Sequence, residues 1–253
     1  MDYLFSYENY TKLLDIVKSR LKDYSEITPQ SSNFVILRHD VEFSPKRALS
    51  LAQVEQNHGV CSTFFFQVSN NAYNILSQQN IERILAIHAM GHKIGLHFHL
   101  QASQGLDEIK DRIQRECNFI SDVLHIQIDR FSFHRPSTLV LKNQLELPGL
   151  INAYAPLYFT YAEDLQSINF GEHVKYVADS RNRWNYLAPW DSPCRDFFDA
   201  YPRIQMLCHP YSWTETGYEI QENLKTLVSE NKDEFVDTLR SETNFVKEYI
   251  HEL

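Results

Sequence analysis

The stretch HKIGLHFHL, residues 92–100, decides how this chain is read. Ile94, Leu96, Phe98 and Leu100 fall on one side of an extended strand; Lys93, Gly95, His97 and His99 fall on the other. Successive strand residues face opposite ways, so this alternation marks a core strand with imidazoles at its end. Working outward, residues 34–37 (FVIL) read as a short buried strand ended by the charged segment Arg38-His39-Asp40-Val41-Glu42. Residues 61–68 and 128–133 are β-branched or aromatic runs, and 153–160, 174–178 and 204–208 are further strand candidates. Helical spacing fits residues 7–23, 78–90 and the long segment after Ser103, whose stripe is Leu106, Ile109, Ile113, Cys117, Ile120 and Leu124. Pro45 opens another helix that runs to about His58.

Strand and helix alternate through most of the chain, which predicts a parallel sheet covered by helices. Six or seven strands in 253 residues favour an α/β architecture of the distorted (β/α) barrel type, with about seven parallel strands and extra helices at both termini. The expected organisation is a single domain over 1–253, with the motif-bearing part at 34–213, an N-terminal helix at 7–23 and C-terminal helices at 218–252. The 33 acidic and 24 basic side chains give a net charge of −9 with no basic run, which excludes nucleic acid as the main partner. Seven glycines are few, so no phosphate-cradling loop is expected. No run of about 20 apolar residues is present, so no membrane span is expected. The start Met1-Asp2-Tyr3 shows no leader pattern, and Cys61, Cys117, Cys194 and Cys208 read as reduced, buried thiols. Both point to a cytoplasmic location.

In a (β/α) barrel the chemistry sits at the C-terminal strand ends. Ionisable residues sit there on four strands: Asp40 and Glu42, His97 and His99, Arg135, and His209. Residues two apart at a strand end point the same way, so each pair faces one cavity. Two carboxylates and two imidazoles suit a divalent metal, with zinc preferred and cobalt, nickel, iron or manganese as alternatives. A spare carboxylate would serve as general base, Arg135 would hold it ionised, and His209 would donate a proton to a leaving group. His39 and His134 are read as pointing away from the site. Tyr211, Trp213, Trp184 and Trp190 are aromatic candidates to line the site.

The segments LRHDVE (37–42), RALSLA followed by GVCSTFFF (47–66), GHKIGLHFH (91–99), FHRP (133–136) and CHPYSW (208–213) resemble, in order and spacing, the polysaccharide deacetylase superfamily (NodB homology, carbohydrate esterase family 4). They are most like its members in bacterial O-antigen and capsule biosynthesis clusters. The resemblance implies metal-dependent removal of an acetyl group from an N-acetylated sugar, presented as a nucleotide- or lipid-linked unit or an oligosaccharide. It implies Asp40 as general base, Glu42 and His97 as metal ligands, Arg135 as the partner of the base, and His209 as general acid. Asp179 falls roughly where a further motif orients the arginine or the histidine. The position four after His97, where the family has its second histidine, holds Gln101, so His99 would substitute; registering Asp40 as the ligand is the alternative. A catalytically inactive sugar-binding or scaffold protein, or a hydrolase of another C–N bond, is the alternative function.

Overall fold

The computed structural model describes residues 4–101, 105–161, 164, 171–187 and 191–243. Helix α1 (Tyr7–Val17) precedes β1 (Phe34–Val41), α2 (Pro45–Asn57), β2 (Thr63–Phe66), α3 (Gln78–Ala89), β3 (Lys93–His99), α4 (Leu106–Leu124) and β4 (Arg130–His134). Then come α5 (Thr138–Lys142), β5 (Ile151–Asn152), β6 (Lys175–Ala178), α6 (Arg195–Ala200), β7 (Arg203–Cys208) and α7 (Ile220–Glu242). The seven strands form one parallel sheet in the order β5-β4-β3-β2-β1-β7-β6. Its edge strands β5 and β6 are not paired with each other, yet the sheet curls far enough for side chains to bridge them. Gln205 Nε2 on β7 donates to the carbonyls of Ala153 (2.9 Å) and Tyr158 (2.6 Å) beyond β5. Phe159 packs on Tyr154 at 5.0 Å and on Tyr176 of β6 at 5.4 Å. This is a seven-stranded half-barrel with a seam, the distorted (β/α) barrel that the alternation predicts.

The helices start and stop for local reasons. Ser44 caps α2 by accepting from the Arg47 amide at 3.1 Å, with Pro45 in the first helical position, where its missing N–H costs nothing. Ser77 caps α3, and Gly91, at a φ of 94°, takes the left-handed turn beyond it that a side chain would resist. Ile109, Ile113, Cys117, Ile120 and Leu124 of α4 are buried as their spacing predicts. Their partners are the outward residues of β3 and β4, including Leu96, Phe98, Phe131 and Phe133. On the other flank, Leu13, Leu14 and Val17 of α1 cover Val35, Leu37, Ile204 and Met206.

The structure corrects several expectations. Strand β1 runs on to Val41, because Arg38 and Asp40 are buried inside the barrel. Residues 153–160 turn twice instead of forming a strand: Ala155 N bonds Asn152 O, and Tyr158 N bonds Ala155 O, on either side of Pro156. The N-terminal segment is α1 followed by two short 3₁₀ turns, and the C-terminal segment is one helix, α7, as far as the described residues reach. All four cysteines are free, but Cys61 is exposed because it precedes β2 in the connecting turn. Ser103, Trp190 and residues 244–253 lie outside the described residues. Among those described, no helix is long and apolar enough to cross a membrane.

Near the opening of the strands, Arg130 lies buried inside the barrel and donates to Asp23, to Thr63 Oγ1 (3.0 Å) and to Asp129 Oδ1 (2.7 Å). Gly95 leaves the room this needs. A Cβ there would lie 2.5 Å from the Phe65 ring and 2.8 Å from Arg130 Cγ. Gly95→Ala is expected to cost about 1–3 kcal/mol in urea unfolding, as overpacking of a dense core does, while Gly171→Ala, in open space, stays near zero. Burial alone would raise the Asp23 carboxyl, but Arg130 and the Ser25 donors outweigh it and hold the carboxyl down at about 2. A carboxyl depressed in the folded state contributes stability above its unfolded pKa of about 3.9 and loses it as pH falls through the folded value. Asp23→Asn should therefore lose stability near neutrality and show a flatter acid denaturation profile between about pH 4 and 2.

Candidate functional site

Alternation along β1 puts Arg38 and Asp40 on the inward face, with Glu42 just beyond the strand. Parallel pairing sets Asp40 beside Phe65 and Phe65 beside Gly95, and it sets His97 beside Ser132. Asp40 is 2% exposed. Arg38 Nη2 donates to its Oδ2 at 3.1 Å and to the Tyr154 hydroxyl at 2.8 Å. Ser132 Oγ donates to Asp40 Oδ1 at 3.3 Å. That leaves the serine oxygen to accept from His97 Nδ1 at 2.8 Å. His97 is therefore protonated on Nδ1, and its Nε2 carries a free lone pair.

That Nε2 is buried without a hydrogen-bond partner among the described residues and lies 3.9 Å from Glu42 Oε1. His134 Nδ1 is likewise buried and unbonded; it approaches Glu42 Oε1 to 2.9 Å without hydrogen-bonding geometry. One ligand atom from each of Glu42, His97 and His134 lies within 4.8 Å of the others. Two orphaned imidazole nitrogens converging on one carboxylate are the donor set that a divalent metal satisfies, as two histidines and one carboxylate do in catalytic zinc sites. Burial would raise the Glu42 carboxyl; the neighbouring imidazoles of His134, His97 and His209 hold it well below the usual carboxylate range.

His209 stands on the opposite wall, 6% exposed, with Nε2 3.9 Å from Glu42 Oε1. Its Nδ1 donates to Asp179 Oδ1 at 2.6 Å, and its backbone amide also points at that carboxylate. Burial would lower the imidazole, but the charge and hydrogen bond of Asp179, with Glu42 and Asp40 behind, push it up to about 9. At neutral pH His209 is a cation, with Nε2–H turned toward the Glu42 side.

Of the residues expected from the sequence, the fold brings together Asp40, Glu42, His97, His209 and Asp179. Arg135 leaves the strand at a φ of 50° and is exposed; the contact with Asp40 expected of it is made by Arg38. His99 is exposed at the rim, where its ring packs on that of His134 at 5.0 Å, and it is His134 that reaches Glu42. Trp213 is fully enclosed by Phe5, Tyr10 and Trp184, and its indole N–H donates to Asp179 Oδ2 at 2.8 Å. It holds Asp179 and, being fully buried, cannot face a ligand. Tyr211 is mostly buried, with its ring 5.7 Å from that of His209. The sequence reading missed Arg38, Ser132 and His134. The signal was present: Phe131 and Phe133 face outward, so Ser132 and His134 must share the inward face, as Arg38 shares it with Asp40.

No family profile matches the chain, and no curated protein does. Among solved structures, it is similar to a family 4 carbohydrate esterase from Streptococcus mutans, with 14% identity over 85% of this chain and 87% of that one, at a TM-score of 0.48. It is also similar to a family 4 carbohydrate esterase from Streptomyces lividans solved with acetate: 16% identity, 79% of this chain and 91% of that one, TM-score 0.44. A family 4 pseudoenzyme from Bacillus anthracis matches at 16% identity over 82% of this chain, TM-score 0.41; the chain spans 63% of that protein's length.

The geometry predicts how the candidate metal centre responds to mutation. Cobalt(II) added to the protein should give visible absorption bands from nitrogen and oxygen ligands. His134→Ala should weaken binding by more than the roughly 10–100-fold typical of outer-shell changes, while His99→Ala leaves it nearly unchanged. Spectrophotometric titration of both variants checks this.

Proposed function

We propose that the protein is a metal-dependent hydrolase that removes the acetyl group from an N-acetylated sugar. The observation that carries the reading is the pair of orphaned buried nitrogens, His97 Nε2 and His134 Nδ1, aimed at Glu42 beneath the protonated His209. Glu42, His97 and His134 would hold the metal, which when bound supplies a Lewis acid that acidifies water and polarises an acyl oxygen. Asp40, aimed by its hydrogen bonds from Arg38 and Ser132, accepts the proton of the attacking water. As the C–N bond breaks, His209 gives its Nε2 proton to the departing amine, which leaves poorly without one. Asp179 holds the ring so that this proton faces the reaction. Water therefore ends as acetate oxygen, and the sugar keeps the free amine.

The sugar and its setting rest on the motif resemblance. It points to a nucleotide-linked, lipid-linked or oligosaccharide N-acetylated unit, processed in the cytoplasm during surface polysaccharide (O-antigen or capsule) biosynthesis. Tyr211 is the aromatic side chain proposed to meet the sugar. Zinc is the proposed metal.

Acetate release from N-acetylhexosamine oligosaccharides and from nucleotide- and lipid-linked N-acetyl sugars tests the reading. Chelation should abolish the activity, and zinc or cobalt should restore it. Asp40→Asn and His209→Gln should each lower kcat by about 10²–10⁴, the contribution of a positioned base or acid. Acetate release that survives both substitutions, or no release from any of these sugars by metal-loaded protein, sinks the reading and favours a sugar-binding role.

A further inference from the structure

On the back of the sheet, away from the barrel interior, lies a second group of buried polar residues that the proposed chemistry does not use. Glu55 on α2, His39 on β1, Tyr10 on α1 and His92 before β3 are all 0% exposed. Glu55 Oε1 accepts from His39 Nε2 at 2.8 Å and from the Tyr10 hydroxyl, and Oε2 accepts from Ser62 Oγ at 2.6 Å. His92 is neutral here, because its Nδ1 accepts from the Ser62 amide (3.1 Å) and its Nε2 faces the Ala52 carbonyl (3.2 Å). His39 differs. Both of its nitrogens face acceptors, Glu55 Oε1 on one side and the Cys208 carbonyl at 3.3 Å on the other. The Phe64 ring stacks on it at 4.3 Å.

A polar network in so apolar a place is costly unless every member finds a partner. What it supplies is direction, and both of its arms end on the segment that carries His209. One arm runs through His39 to the Cys208 carbonyl, the peptide immediately before His209. The other runs through Tyr10, whose ring lies 4.7 Å from Trp213, the residue whose indole N–H fixes Asp179 Oδ2. Asp179 in turn fixes both the ring and the backbone amide of His209. We propose that Glu55 is a positioning residue for the His209 general acid, acting through His39 and Tyr10 on both ends of the segment 208–213. The proposal rests on the deacetylase reading for the acid's role. The structural link itself is independent of that reading.

The test separates positioning from mere stability. Protonation of the leaving group matters for an amine and little for the phenolate of an aryl acetate. In zinc-loaded protein, Glu55→Gln should lower kcat on an N-acetylhexosamine oligosaccharide about 10–100-fold with KM unchanged, and leave aryl acetate hydrolysis within about twofold. A purely structural defect would lower both equally. Tyr10→Phe, which keeps the ring on Trp213 and removes only the hydroxyl, should move both rates the same way by a smaller amount; it serves if Glu55→Gln does not fold. Independently of turnover, the Nδ1–H resonance of His209 in histidine-labelled protein, assigned by its absence in His209→Gln, should shift or broaden in the variants. Equal losses on both substrates, or an unchanged His209 resonance, overturn the proposal. If the wild-type protein hydrolyses neither substrate, the deacetylase reading fails, and the resonance alone decides whether Glu55 orients His209.

Discussion

The buried pair of Arg38 and Asp40 is the contact on which the rest of the molecule depends. A guanidinium and a carboxylate enclosed in a barrel are costly unless each finds partners. Arg38 finds Asp40, the Tyr154 hydroxyl, and the faces of Tyr154 and Phe65 at 4.7 and 5.8 Å. Tyr154 belongs to the segment after β5, so the guanidinium crosses from the middle of the sheet toward its open seam. The same cation thus helps bridge the open seam of the sheet and holds the carboxylate of Asp40 in place. Its Nε and Nη1 have no hydrogen-bond partner among the described residues, so the barrel interior is polar but sparsely satisfied there.

Strand β1 carries this arrangement because a strand has two faces. Arg38 and Asp40 point inward to the site, and His39 points outward to Glu55 and the helices. Inward residues hold chemistry; the outward one holds the peptide that leads into His209. Asp179 shows the economy of this. One carboxylate receives the His209 ring, the His209 amide and the Trp213 indole, so the imidazole and the loop that bears it are fixed together.

Much of this was legible in the chain itself. The alternation of residues 92–100 identified β3 and placed His97, and the stripe of α4 gave its buried face. Asp40 and His209 stood out because ionisable residues at strand ends are costly unless used. The period-of-two rule also contained Arg38, Ser132 and His134, once Phe131 and Phe133 are set outward. Arg135 misled because a positive φ takes it off the strand, and side-chain parity says nothing beyond a strand's last residue. His99 misled for a related reason: it shares the face of His97, but at the rim the ring of the neighbouring strand's His134 stands on the Glu42 side.

The sequence by itself determined the parallel strand–helix alternation, the face of each strand, and the kinds of donor gathered at the strand ends, because these follow from local periodicity. Only the tertiary structure decided which of those donors meet. Which arginine holds Asp40, which histidine joins His97 at Glu42, and whether Trp213 faces a sugar or supports Asp179 all depend on how far the sheet curls and on which strands lie beside one another. Those are distances between residues remote in the chain, and no local pattern encodes them.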